Sequence, residues 1–153
     1  FAILRSGAER LTIFDQDAAR SSALAESMKR HFPDRAVAAG RDLSQDMASA
    51  TGLIHATPTG MAKYPGLPLP ADLLGPSLWV AEIVYFPLRT ELLIEAEKVG
   101  CRILDGGGMA VFQAVGAFEL FTGLQPDADR MLRHFAEMTR GADQPVRAAG
   151  GGR

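Results

Sequence analysis

Apolar and polar positions along the chain change period several times, and each change marks an element. Phe1-Ala2-Ile3-Leu4-Arg5-Ser6 reads as the last turns of an amphipathic helix, and Gly7 stands where a left-handed C-terminal cap belongs. Arg10-Leu11-Thr12-Ile13-Phe14 follows as a strand-forming run of branched and aromatic residues that stops at Asp15-Gln16-Asp17. Asp17 caps a helix over 18–32, in which Leu24, Met28 and Phe32 recur at helical spacing and Pro33 ends the pattern. Residues 35–39 form a weaker strand candidate, 43–50 a short helix, and Gly52-Leu53-Ile54-His55-Ala56 another apolar strand. Residues 57–70 hold two glycines and four prolines, so turn chemistry makes them a loop. Residues 77–84 include Leu78-Trp79-Val80-Ala81 and Ile83-Val84, a run apolar enough for a strand covered on both faces, with Glu82 as its exception. Leu92, Leu93, Ala96 and Val99 share one face of a helix over 90–99, and Cys101-Arg102-Ile103-Leu104 begins a further strand. Gly106-Gly107-Gly108 precedes a helix over 109–121 so apolar that it is expected to be largely buried. A last amphipathic helix spans 127–138, and the Gly/Ala/Pro-rich stretch 141–153 is expected to be disordered.

Strands alternating with helices of this length predict βαβ units. The class is therefore α/β, a parallel sheet with helices on both faces, formed by residues 1–140 as one domain. Ligands of such sheets sit beyond the carboxyl ends of the strands. That rule selects Asp15, the loop opening at Thr57, Tyr85 and Gly106, each of which follows a predicted strand.

Composition narrows the class of partner. The chain has 153 residues, 47% apolar and 22% charged, enough to bury a core. Its formal charge of −2, from 16 basic and 18 acidic residues without a long single-sign run, excludes sequence-independent nucleic-acid binding. Cys101 is the single cysteine, which excludes an internal disulfide framework and fits a reducing, cytoplasmic setting. No apolar stretch reaches the roughly 20 residues that span a bilayer, so no membrane partner is expected. His31, His55 and His134 are far apart and one cysteine gives no ligand pair, so no metal site is predicted. The absence of a G-x-S-x-G elbow disfavours a hydrolase.

Each candidate residue carries two readings. Asp15, at a strand end, can accept hydrogen bonds from both hydroxyls of an adenine-side ribose and repel a 2′-phosphate, which favours NAD over NADP; it can equally be a plain turn aspartate. Ala56-Thr57-Pro58-Thr59 offers backbone donors and two hydroxyls to a ribose and phosphate, or is an ordinary strand exit with Thr57 in a local turn. His55 is of a residue type that can serve as a base, but no acidic or nucleophilic residue stands at a sequence spacing that would orient it. Tyr85 can present its hydroxyl at the ligand edge or anchor a loop. The glycines from Gly106 let backbone approach a flat ring, or simply make a turn. Gln113, an amide on an otherwise apolar helix, needs partners that a polyol ligand or the backbone could supply.

Taken in order, the segments Gly52-Leu53-Ile54-His55-Ala56-Thr57-Pro58-Thr59-Gly60-Met61, Glu82-Ile83-Val84-Tyr85-Phe86-Pro87 with Thr90-Glu91-Leu92-Leu93, and Asp105-Gly106-Gly107-Gly108-Met109 with Gln113-Ala114 and Ala117-Phe118 through Phe121-Thr122-Gly123 resemble the carboxyl-terminal half of the shikimate/quinate dehydrogenase family, over roughly residues 1–135. The resemblance implies a Rossmann-like doubly wound sheet lacking its first strand and Gly-rich loop. It implies an oxidoreductase whose substrate domain, with the catalytic Lys and Asp, lies upstream, so no residue here is catalytic and the chain alone is expected to be inactive. Carried over by motif, Asp15, Arg20, Ala56, Thr57, Pro58, Thr59, Val84 and Gly106 would contact the dinucleotide, and Gln113 and Tyr85 the small-molecule substrate, shikimate or quinate. The family usually has Asn where His55 stands and Asp where Glu82 stands. Asp15 followed by Asp17 and Arg20 resembles the NAD-using quinate/shikimate branch, so NAD is the expected cofactor and NADP, as in biosynthetic shikimate dehydrogenases of aromatic amino acid synthesis, the second choice. A noncatalytic dinucleotide-binding module is the alternative from another class. The missing amino-terminal segment and a homodimer complete the partners this reading allows; without the first strand, two interior sheet edges are expected to stay unpaired.

Overall fold

The computed structural model describes residues 1–140, which fall into two compact units, Phe1–Ala50 and the chain from Thr51 onward. Residues 141–153, the stretch expected to be disordered, lie outside the described residues.

The first unit contains α1 (Ala2–Arg5), β1 (Arg10–Ile13), α2 (Ala18–His31), β2 (Ala36–Ala39) and α3 (Leu43–Ala48). Gly7 takes φ +104°, the left-handed conformation that releases the chain from α1 into β1. β1 and β2 run parallel, with Leu11 opposite Val37, and α2 supplies the crossover. Leu4, Ala25 and Val37 are the buried centre of this unit, wrapped by Ile3, Leu11, Ile13, Met28 and Phe32. Full burial of a leucine such as Leu4 is worth about 1.5–3 kcal/mol. The packed face of α2 keeps Met28 and Phe32 but leaves out Leu24. Leu24 is 48% exposed, whereas Ser21 and Ala25 are buried; small side chains let the helix lie close to the strands, and Met28 and Phe32 complete the stripe.

The second unit contains β3 (Gly52–His55), a 3₁₀ turn at Ala71–Leu73, β4 (Trp79–Glu82), α4 (Glu91–Lys98), β5 (Arg102–Leu104), α5 (Gly107–Thr122) and α6 (Ala128–Thr139). Its three strands are parallel in the order β3–β4–β5. β4 is central and Val80 on it is fully buried, as the unbroken apolar run requires. α4 is seated by Leu92, Leu93 and Ala96, and the hydroxyl of Thr90 caps it by accepting the Leu93 N–H at 3.4 Å.

The α/β class of parallel strands and helices holds. The strands divide into a two-stranded and a three-stranded parallel sheet, and among the described residues β1 and β3 each have a strand partner on one edge only. The βαβ alternation is retained within each. One expectation needs correction: α5 is not largely buried, since only Gly107 and Val111 are, while Phe112, Phe118, Leu120 and Phe121 are exposed. A helix apolar on every side has more surface than its main helical neighbour, α6, covers.

Candidate functional site

The carboxyl ends of β3, β4 and β5 bring the predicted residues of the second unit together. In the β3–β4 register His55 lies opposite Glu82, the one polar side chain of its strand. Their side chains are 4% and 0% exposed. His55 Nδ1 is 2.9 and 3.0 Å from the two carboxylate oxygens of Glu82. The carboxylate also accepts the Val84 N–H at 2.9 Å and the Thr90 hydroxyl at 3.0 Å. On the other side of the ring, Nε2 lies 2.6 Å from Thr57 Oγ1. The expectation that nothing acidic orients His55 is thus overturned: Glu82 does so from 27 residues away in sequence, a spacing set by strand pairing rather than by local geometry. Burial of such a group is tolerable only with every polar atom partnered, and no buried side-chain N or O atom of the described residues lacks a hydrogen bond.

Above this network the loop leaves the sheet. Ala56, Thr57 and Pro58 are exposed and Thr59 is half-buried. The Thr57 oxygen accepts the Thr59 N–H at 3.3 Å, the local turn that strand-exit chemistry predicts. Val84, past the end of β4, is buried, and Tyr85 beyond it is 50% exposed. Gly106, past β5, is buried against that exit: a Cβ there would come within 2.7 Å of the Val84 carbonyl oxygen and 2.8 Å of that of Ile83. Only glycine lets the two strand exits meet so closely. Asp105 then accepts the Gly107 N–H at 2.9 Å, opening α5. Gln113 lies on an exposed stretch of α5, so the amide meets no requirement for buried partners.

Asp15 and Arg20 belong to the first unit, at the carboxyl end of β1. Asp15 Oδ1 accepts the Asp17 N–H at 2.8 Å, so the turn reading is realised and uses one of its two oxygens. Asp17 caps α2 by accepting the N–H groups of Ala19 at 2.9 Å and Arg20 at 3.4 Å. The Arg20 side chain, 78% exposed, lies 3.6 Å from Asp17 Oδ2. The residues sequence reasoning missed are Glu82 and Thr90 as network members. One signal was present: each of β3 and β4 carries a single polar residue at its carboxyl end, and parallel in-register pairing makes these two neighbours.

Comparison with known proteins places this geometry. The model of the shikimate 5′-dehydrogenase C-terminal domain matches residues 106–134. A shikimate dehydrogenase (NADP(+)) of Streptomyces avermitilis is 58% identical over 139 residues, which are 90% of this chain and 48% of that protein. A quinate/shikimate dehydrogenase (NAD(+)) of Corynebacterium efficiens is 41% identical over 140 residues, 90% of this chain and 48% of its own. Among solved structures, quinate dehydrogenase from Corynebacterium glutamicum in complex with NAD superposes with a TM-score of 0.80 at 40% identity, covering 89% of this chain and 49% of that one. The chain spans about half the length of the curated relatives it matches. In sequence and in fold it is similar to shikimate/quinate dehydrogenases over about half of their length, and its residues 106–134 match their C-terminal domain.

Proposed function

We infer that the chain is the cofactor domain of an oxidoreductase that moves a hydride between NAD and the ring hydroxyl of shikimate or quinate. The observation that carries this reading is the convergence of the exposed Ala56–Pro58 backbone, Val84 and Gly106 at the carboxyl ends of three parallel strands. These residues fit a dinucleotide: sugars and phosphates are served by the backbone N–H groups of Ala56 and Thr57, and a flat ring by a surface without a projecting side chain at Gly106. A bound nicotinamide supplies the hydride acceptor or donor. Val84 and Gly106 would hold its ring in place and exclude water, the Thr57 loop would position ribose and phosphate, and the accessible Tyr85 and Gln113 would meet the substrate. No residue of the chain is given a proton-transfer role.

Asp15 supports NAD, because a carboxylate at the end of β1 accepts from a ribose diol and repels a 2′-phosphate; Arg20 would lie by the adenosine end. NADP is the second reading, favoured by the name of the 58% identical relative from S. avermitilis. Calorimetric titration of the full-length protein with NAD+ and NADP+ separates them. Tighter NAD+ binding is expected, with Asp15→Ala narrowing the difference by about tenfold, roughly the worth of one charge-assisted contact. Tighter NADP+ binding by the unaltered protein contradicts the NAD assignment, and binding of neither contradicts the cofactor role.

A further inference from the structure

The polar atoms beneath the Thr57 loop form one continuous chain of donors. Glu82 is an acceptor on every side. The Val84 N–H donates to Oε1, and the Thr90 hydroxyl, whose oxygen already accepts the Leu93 N–H, donates to Oε2. With His55 Nδ1 at 2.9 and 3.0 Å from the same carboxylate, the ring proton belongs on Nδ1. In that tautomer Nε2 is an acceptor. Thr57 Oγ1, 2.6 Å away, accepts the Thr59 N–H, so its own proton points to Nε2. Rotation of the Thr57 side chain to any other rotamer would strand a nitrogen on a ring that is 4% exposed. The connectivity carboxylate, imidazole, hydroxyl ends on a hydroxyl committed to the turn.

We propose that His55, oriented by Glu82, is a positioning residue that locks the Thr57–Thr59 turn in the conformation that receives the dinucleotide. The proposal rests on the reading of this loop as cofactor-binding. The same carboxylate holds the Val84 N–H and the hydroxyl that caps α4, so one buried group sets the turn after β3, the exit of β4 and the start of α4 together. The Thr57 hydroxyl thereby acts inward as a strut, and what the loop offers a ligand is its backbone.

A double-mutant cycle in the full-length protein tests this, with NAD+ and NADP+ as the probes and calorimetry as the readout. His55→Asn and Thr57→Val are each expected to weaken cofactor binding about tenfold, and the pair together also about tenfold rather than a hundredfold, because both break the same link. Full additivity, or unchanged affinity in folded Thr57→Val, overturns the proposal. Thr57 is exposed, so that variant keeps the buried His55–Glu82 pair even where His55→Asn does not fold. Long-range 1H–15N correlation of the imidazole provides a readout independent of the cofactor: a proton on Nδ1 alone is expected, and a proton on Nε2 overturns the proposal. Failure of the unaltered protein to bind either dinucleotide overturns the cofactor reading and the cofactor half of the proposal, while the tautomer decides the positioning half by itself.

Discussion

The carboxyl ends of β1 and β3 solve the same local problem, leaving a parallel strand, with opposite chemistry. After β1, the side-chain contacts of Asp15, Asp17 and Arg20 all join residues two or three apart, and all are exposed. After β3, His55 is tied to Glu82 across 27 residues, and the pair is buried. Exposed local contacts can be replaced by water at small cost. A buried network cannot, because each partner removed leaves another group desolvated and unpaired. The β1 end is therefore free to vary in what it binds, and the β3 end is held rigid by what lies beneath it.

The largest expected difference between the two ends comes from Glu82→Ala. It strips the partner from His55 Nδ1, Val84 N–H and the Thr90 hydroxyl at once, and a buried donor left unpaired in this way costs about 1–3 kcal/mol each. Urea denaturation of the full-length protein reads this; a loss below about 1 kcal/mol, the worth of an exposed contact, would erase the contrast drawn between the ends. Asp17→Ala at the β1 end is the matching change, and it should cost about 1 kcal/mol through the lost α2 cap, with far-ultraviolet circular dichroism and the urea midpoint moving together. A cost equal to that of Glu82→Ala would mean that exposure does not separate the two ends.

The smallest effect belongs to the surface of α4, where the Arg89 guanidinium hydrogen-bonds Glu97 and holds its carboxyl below the ordinary carboxylate range. A carboxyl whose folded value is depressed contributes stability above the ordinary carboxylate range, and that contribution fades as pH falls through the lowered value. Arg89→Ala should return the Glu97 titration toward the ordinary range, followed by carboxyl NMR, with stability at neutral pH little changed because the pair is exposed. An unmoved Glu97 titration contradicts the assignment of Arg89 as the cause.

The same contrast explains what could be read from the chain. The elements were legible because their signals are local: Asp17 ahead of α2, Leu92, Leu93 and Ala96 on one face of α4, Gly7 after α1 and the apolar run of β4 each lie within a few residues of, or inside, the structure they specify. The loop at Thr57 and the glycine at 106 were legible as strand exits for the same reason. His55 and Glu82 were not legible as a pair, since their meeting depends on the β3–β4 register. Leu24 and α5 misled in a related way, because an apolar residue marks what can be buried, and a neighbour must be present to bury it.

The central claim is that the ends of β3, β4 and β5 receive a nicotinamide dinucleotide. A crystal structure of the full-length protein with NAD+ bound tests it most directly. The account predicts the nicotinamide ring against Val84 and Gly106, ribose and phosphate along the Ala56–Thr59 backbone, and the Thr57 hydroxyl still turned toward His55. A dinucleotide bound away from these strand ends, or Thr57 turned outward to it with His55 released, would contradict the account.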